Sequence, residues 1–217
     1  MLKYVKINVL FVLSLRNIII RKFMKVTITR DLGATSPLSR DSSLHNLFMN
    51  QLREMIWSKR LWSKTIPKLI NNVSSPNLIF IMNDHAAVTS KQIIRLQKAL
   101  ELTDVKGKGK KCVVIQALIN KSKSTLEYTQ QGPVRDAAII ANAQKIEHYC
   151  IAAITTLIEF GKVLGKNTIV DILRKILIEE KQTDTVLSEA AYNTINFDAA
   201  IDENKFLASH YYRGKTL

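Results

Sequence analysis

The sequence predicts an all-α protein built from four long helices and one shorter helix. Seven glycines and four prolines in 217 residues leave long stretches of chain without a break. Strand-like alternation of apolar and polar residues is scarce, whereas apolar residues recur at steps of three and four from residue 44 onward. With 47% hydrophobic residues, a chain of this length can bury one good core.

Residues typical of helix ends delimit each predicted helix. Ser42 or Ser43 is available as the N-cap of the first helix, and Pro76 suits the first turn of the second. A flexible loop containing KGKGKK (residues 106–111) precedes the short helix. Gly165 follows the third long helix at the position that favours a left-handed glycine. The predicted ranges are 43–71, 76–102, 111–128, 134–164 and 167–195.

The two ends of the chain do not share this regular pattern. Residues 1–42 are predicted to be a leader that lies outside the bundle, and residues 198–217 a C-terminal tail. The apolar run at residues 7–15 resembles part of a signal peptide, but Arg16 interrupts it and no small-residue cleavage site follows. The run is also shorter than the roughly 20 residues of a membrane span. Three interpretations of residues 1–23 remain open. In order of preference, they are a translation start at Met24 that leaves these residues out, a weak membrane anchor and an unpartnered helix.

Charge and cysteine content limit the partners and the compartment. A net charge of +14 permits weak binding to anionic surfaces. The basic residues are scattered and no recognition motif accompanies them, so specific binding to nucleic acid is not predicted. Cys112 and Cys150 lie far apart in the sequence and form neither a zinc motif nor a disulfide framework. The sequence therefore favours a reducing compartment, the cytoplasm, and no transmembrane span.

Each long helix carries polar residues in the middle of its apolar stripe. Burying one unpaired ionised group costs several kcal/mol, so four independent accidents of this kind are improbable. If the helices form one bundle, these side chains could meet at one level and either neutralise each other or bind a metal. Four-helix bundles hold carboxylate-bridged di-iron or di-manganese centres in this way. The polar residues on the stripes are Lys59, His85, Gln92, Gln144, Glu147, Glu180 and Asp184.

Several of these residues also have a structural interpretation. A single histidine on an apolar stripe, such as His85, is more often a hydrogen-bonded core residue than a metal ligand. His148 lies one step off its stripe, and Cys150 is typical of a small buried hydrophobic residue. The sequence contains no Ser/His/Asp set, glycine-rich phosphate loop or paired-cysteine motif. It therefore offers none of these motifs as a sign of an enzymatic reaction.

Four segments resemble the ferritin-like bacterial stress-protein family typified by YciE and YciF. The resemblance covers about 150 residues, from Leu44 to Ile195. It implies a ferritin-like four-helix bundle over residues 43–197, with a shorter crossover helix between helices two and three. It also implies a homodimer, an association with stress responses and a suspected metal site without a settled reaction. The matching segments are residues 44–69, 110–119, 134–152 and 177–187.

The resemblance also implies a ligand set, from which this chain departs at two positions. Where the family has a glutamate in WAEK or SAEK, this chain has WSKR, which places Lys59 at the site. Where the family has EHYE, this chain has EHYC, which places Cys150 there. Two carboxylates are therefore missing, and one of them is replaced by a cation. The candidate ligands that remain are His85, Glu147, Glu180 and Asp184, and the candidate ions are iron, manganese or zinc, or none.

From these departures we expect the fold to persist while the metal site decays. The ammonium group of Lys59 is predicted to lie within hydrogen-bond reach of Glu147, Glu180 or Asp184, and to supply part of the charge of a metal. A metal-binding stress protein and a metal-free bundle that acts through oligomerisation or partner binding are both compatible with the sequence. A di-iron oxidase or peroxidase is disfavoured because it needs the missing carboxylates.

Overall fold

A computed structural model describes residues 43–103 and 109–203, and they form helices and short connections with no β-strand. The all-α prediction is confirmed for this part of the chain. The leader at 1–42, part of the KGKGKK loop and residues 204–217 lie outside the described residues. The five α-helices are α1 (Leu44–Ile70), α2 (Pro76–Glu101), α3 (Val113–Tyr128), α4 (Pro133–Val163) and α5 (Asn167–Ala190).

The predicted helix ends agree with the structure except after α5. The hydroxyl of Ser43 accepts a hydrogen bond from the backbone N–H of Asn46 at 3.1 Å. The hydroxyl of Ser75 accepts one from Leu78 at 3.4 Å and caps α2. Gly165 has a φ of 67°, which a residue with a side chain adopts only with strain, and it directs the chain out of α4.

The helical backbone continues beyond the end that the sequence predicts for the last helix. A π-helical turn spans Ala191–Ile195, and α-helix resumes over residues 196–203. Residues 191–203 contain no glycine or proline, and the prediction of a C-terminal tail over residues 198–217 stays a prediction. Phe197 and Ile201 are 61% and 53% exposed. Residues 196–203 bury no apolar stripe, so their sequence lacks the periodicity that predicts the other helices.

The four long helices contact each other in the cyclic order α1–α2–α5–α4. The short helix α3 packs against α4 and α1. Helices α4 and α5 approach closely at Gly161, where an added Cβ would lie 2.8 Å from a methyl group of Val170. Among the described residues, no helix is long and apolar enough to cross a membrane. In this arrangement α1 lies opposite α5, and α2 lies opposite α4.

A buried carboxylate at the start of α4 holds the connection between α1 and α2. Asp136 is 1% exposed, and its oxygens accept hydrogen bonds from the backbone N–H groups of Ser74 and Ser75 at 2.8–3.2 Å. These N–H groups precede the first turn of α2, where the helix dipole favours a negative charge. Asp136 therefore fixes where α2 begins relative to α4.

Replacing Asp136 by alanine should lower the free energy of unfolding by about 2–4 kcal/mol, because two backbone donors lose a charged acceptor. Urea unfolding followed by circular dichroism measures this change. Asp171→Ala is the matched control: this exposed aspartate in α5 pairs only with Arg174 in the same helix, and its loss should cost less than about 0.5 kcal/mol. Equal effects of the two substitutions would contradict the role of Asp136.

Candidate functional site

Four polar side chains, one from each long helix, meet inside the protein. Lys59 comes from α1, His85 from α2, Glu147 from α4 and Glu180 from α5. All four are buried, and none is more than 3% exposed. We call these four residues the core charge cluster. Four of the seven mid-stripe polar residues, one from each long helix, therefore lie together.

The ammonium group of Lys59 binds both oxygens of Glu180. The distances from Nζ are 2.7 Å to Oε1 and 2.5 Å to Oε2. The prediction that Lys59 reaches a carboxylate of the site is therefore confirmed, with Glu180 as the partner. This pair joins α1 to α5, which are opposite each other in the bundle.

A second buried pair joins the other two opposite helices. Nε2 of His85 lies 3.0 Å from Oε1 of Glu147 and 3.3 Å from Nε1 of Trp62. A carboxylate only accepts hydrogen bonds and an indole N–H only donates them, so the two neighbours favour opposite tautomers of the ring. The contact with hydrogen-bond geometry is the one from Trp62, so Nε2 accepts, whereas Oε1 of Glu147 has no well-aligned hydrogen bond. Nδ1 is buried without a partner among the described residues.

The two pairs influence each other's protonation because they cross near the centre of the bundle. Burial favours neutral Lys59, but the acidic groups of Cys150, Glu180 and Glu147 outweigh burial and raise the pKa of the amine above its ordinary value. Burial also opposes ionisation of Glu147, yet Lys59 and His85 lower the pKa of its carboxyl. For Glu180, burial and the charge of Glu147 outweigh Lys59 and raise the pKa. The two carboxyls titrate together, since the first ionisation places a charge beside the second.

Cys150 lies one turn after Glu147 on α4 and is buried beside the cluster. Burial raises the pKa of its thiol well above the usual range, even though Lys59 favours the thiolate. A thiol that is protonated at neutral pH behaves as a small apolar residue, which agrees with the interpretation of Cys150 as a small buried hydrophobic residue. This position therefore carries no charge at neutral pH.

Asp184 does not join the cluster, contrary to the sequence prediction. Its Oδ2 lies 3.3 Å from Nε2 of the exposed His148, and its side chain is 19% exposed. Four residues advance a helix by about 40° more than one full turn, which rotates Asp184 away from the direction of Glu180. Gln144 also lies outside the core charge cluster. Its amide donates a hydrogen bond to the hydroxyl of Ser188 at 2.7 Å on the exposed side of the helices.

The residues of the cluster fit a divalent metal poorly. Within the described ranges, no group of three or more His, Cys, Asp or Glu side chains is arranged to hold a metal ion. Both oxygens of Glu180 already bind the ammonium of Lys59, and a cation at that place repels another cation. The arrangement instead suits mutual neutralisation of buried charges.

Sequence reasoning missed one member of this environment. The indole of Trp62 packs edge-on against the ring of His85, with 5.7 Å between ring centroids. Trp62 follows Lys59 by three residues on the same stripe of α1, and this spacing was the only signal in the sequence. The contact holds the imidazole in place beside Glu147.

Comparison with known proteins relates the chain to one family. The family model described as "Domain of unknown function (DUF892)" matches residues 43–200. Protein YciF of Escherichia coli (strain K12) is 34% identical over 164 residues, which are 75% of this chain and 97% of that protein. The crystal structure of the Escherichia coli stress protein YciF matches with a TM-score of 0.68 and 33% identity over 71% of this chain and 98% of the other. YcfI from Rhodopseudomonas palustris matches with a TM-score of 0.66 and 35% identity, over 70% and 97% of the two chains.

Lys59→Met should lower the free energy of unfolding by about 3–5 kcal/mol, because it leaves the buried Glu180 without its cation. Chemical denaturation monitored by circular dichroism measures the change. Lys64→Met, at an exposed lysine of the same helix, is the matched control and should change stability by no more than about 0.5 kcal/mol. An unchanged stability of Lys59→Met would show that the pair contributes little to the fold.

Proposed function

Because the chain belongs to the family described as Domain of unknown function (DUF892), we propose that it is a stress-associated ferritin-like bundle in which a buried lysine replaces the core metal. The cyclic contacts of the four long helices support the bundle. Helix α3, which lies between α2 and α4 in the sequence, is then the crossover helix. The association with stress rests on the similarity to the Escherichia coli stress protein YciF.

The contact between Lys59 and Glu180 carries the proposal about the core. Two buried carboxylates need a compensating charge, and the ammonium supplies it at hydrogen-bond distance from one of them. A divalent ion 4 Å from this ammonium would be repelled by roughly 8 kcal/mol at an effective dielectric constant near 20. Metal binding would therefore require Lys59 to leave a position in which it is fully buried. Such a bundle acts through its surface, by self-association or by binding a partner.

A metal-binding stress protein is the second candidate, and one observation favours it. Both oxygens of Glu147 are buried without a well-aligned hydrogen bond, although Oε1 lies near His85. Thr89 Oγ1 and Gln92 Oε1 on α2 are also buried without partners among the described residues. Unpaired oxygens of this kind are hard ligands that suit iron, manganese or zinc. On this alternative, His85 and Glu147 would hold the ion.

The metal content of purified protein distinguishes these two candidates. Wild-type protein prepared without chelator should contain far less than one iron, manganese or zinc ion per chain by elemental analysis. Lys59→Glu restores a carboxylate at the family position and removes the competing cation, so it should bind metal and be stabilised by it. Lys64→Glu adds the same charge at an exposed position and should bind none. Stoichiometric metal in the wild type would contradict the proposal and support the second candidate.

We further propose that the chain forms a homodimer in the cytoplasm. Its two cysteines are free and buried, which suits a reducing compartment. The surface proposed for dimerisation is the end of the last helix, where Tyr192 and Phe197 stack edge-to-face and, with Ile201, remain more than half exposed. An apolar surface of this kind is typical of a protein–protein contact.

Light scattering after size exclusion should give the mass of a dimer for the wild type and of a monomer for Phe197→Ser combined with Ile201→Ser. Loss of apolar surface from both copies weakens the contact. Val163→Ser is the control, because Val163 is equally apolar and 77% exposed, but lies at the end of α4. A dimer that survives the double substitution would exclude this surface.

A further inference from the structure

A cavity of about 350 Å³ opens between α2 and α5 above the core charge cluster. Its volume lies in the range of small-molecule sites. The walls combine apolar side chains with carboxylates, and the buried ring of His85 lines the inner part. The lining residues that matter for recognition are Phe80, Asp84, His85, Val88, Glu179 and Val186.

The charge of this cavity is opposite to that of the chain as a whole. The sequence has 32 lysines and arginines against 18 acidic residues, yet Asp84 and Glu179 line the cavity and no lysine or arginine of the described residues does. Glu179 is paired with Arg95 at 2.7 Å. Asp84 is exposed and forms no ion pair within the part of the chain that the structure describes. The free negative charge of the cavity therefore belongs to Asp84.

The remaining contacts define what kind of cation would fit. Phe80 on α2 and Val186 on α5 present exposed apolar surface, with 73% and 39% of each residue accessible. His85 directs Nε2 towards Glu147 and Trp62, so that Nδ1 is the nitrogen left without a partner. Apolar walls match a hydrocarbon group, and the carboxylate of Asp84 matches an ammonium group. An inorganic ion would leave the apolar walls without a partner, and an anion would be repelled by Asp84.

We propose that this cavity binds a small organic monocation, an ammonium group carried on an apolar body about the size of a benzyl group. The ammonium group lies against Asp84, and the apolar body lies between Phe80 and Val186. The site shares the ring of His85 with the core charge cluster, but its occupation does not require a metal or the release of Lys59. It therefore goes beyond the function proposed above.

Three aromatic compounds of similar size test the charge requirement: benzylammonium, benzyl alcohol and benzoate. Titrations of the full chain followed by ¹⁵N NMR and by calorimetry should rank them in that order, with shifts at Phe80, His85 and Val186. Asp84→Asn should weaken binding of benzylammonium about threefold, as expected for a partly exposed ion pair, and leave benzyl alcohol unchanged. Asp171→Asn, which removes an exposed acid elsewhere on α5, should alter neither affinity.

Phe80→Ser separates ligand binding from self-association at this face. It should weaken benzylammonium binding while the molecular mass measured by light scattering stays the same. Dissociation of a dimer by this substitution would assign the face to a second copy and overturn the proposal. Equal affinity for all three compounds, no measurable binding, or an affinity that is indifferent to Asp84→Asn would overturn it as well. None of these outcomes depends on metal content or on Lys59, so failure here leaves the function proposed above untouched.

Discussion

The ion pair between Lys59 and Glu180 is the interaction on which the interior of the protein depends. Glu147 and Glu180 lie in an apolar core, where an uncompensated charge is costly. The ammonium of Lys59 binds one carboxylate and lowers the pKa of the other. Without that charge, the same four helices would have to bury two mutually repelling acids. The charge of one residue of α1 thus compensates the acids at the centre of the protein.

The geometry of the two buried pairs explains why they act together. Lys59 and Glu180 connect α1 to α5, whereas His85 and Glu147 connect α2 to α4, and neither pair of helices is adjacent in the cyclic order. Two contacts that span both diagonals of a bundle must cross near its axis. They consequently constrain the register of all four helices at one level. The apolar residues above and below this level can pack in more than one register. Buried polar groups have this specifying role in other helical assemblies.

The sequence predicted the helices and the polar level because both depend on periodicity. A residue on an apolar stripe faces the core, and this rule located Lys59, Glu147 and Glu180 correctly. Periodicity does not say which opposite side chain a residue meets, so the pairing of His85 with Glu147 had to come from the structure. Periodicity also failed to predict the surroundings of Asp184. Its direction differs by about 40° from that of Glu180, which is enough to turn the side chain towards His148. Asp136 lies four residues before Ile140 on the same stripe, but the pattern gives no sign of its partners, since these are backbone N–H groups more than sixty residues away.

A double-mutant cycle between Lys59 and Glu180 tests most directly whether the lysine takes the place of the metal charge. Lys59→Met, Glu180→Met and the double variant would be compared with the wild type by chemical unfolding of metal-free protein. If the ammonium is the partner of Glu180, the double variant should be more stable than Lys59→Met alone, with a coupling energy of about 2–3 kcal/mol. Additive effects of the two substitutions would show that the two charges do not depend on each other, and would contradict this assignment.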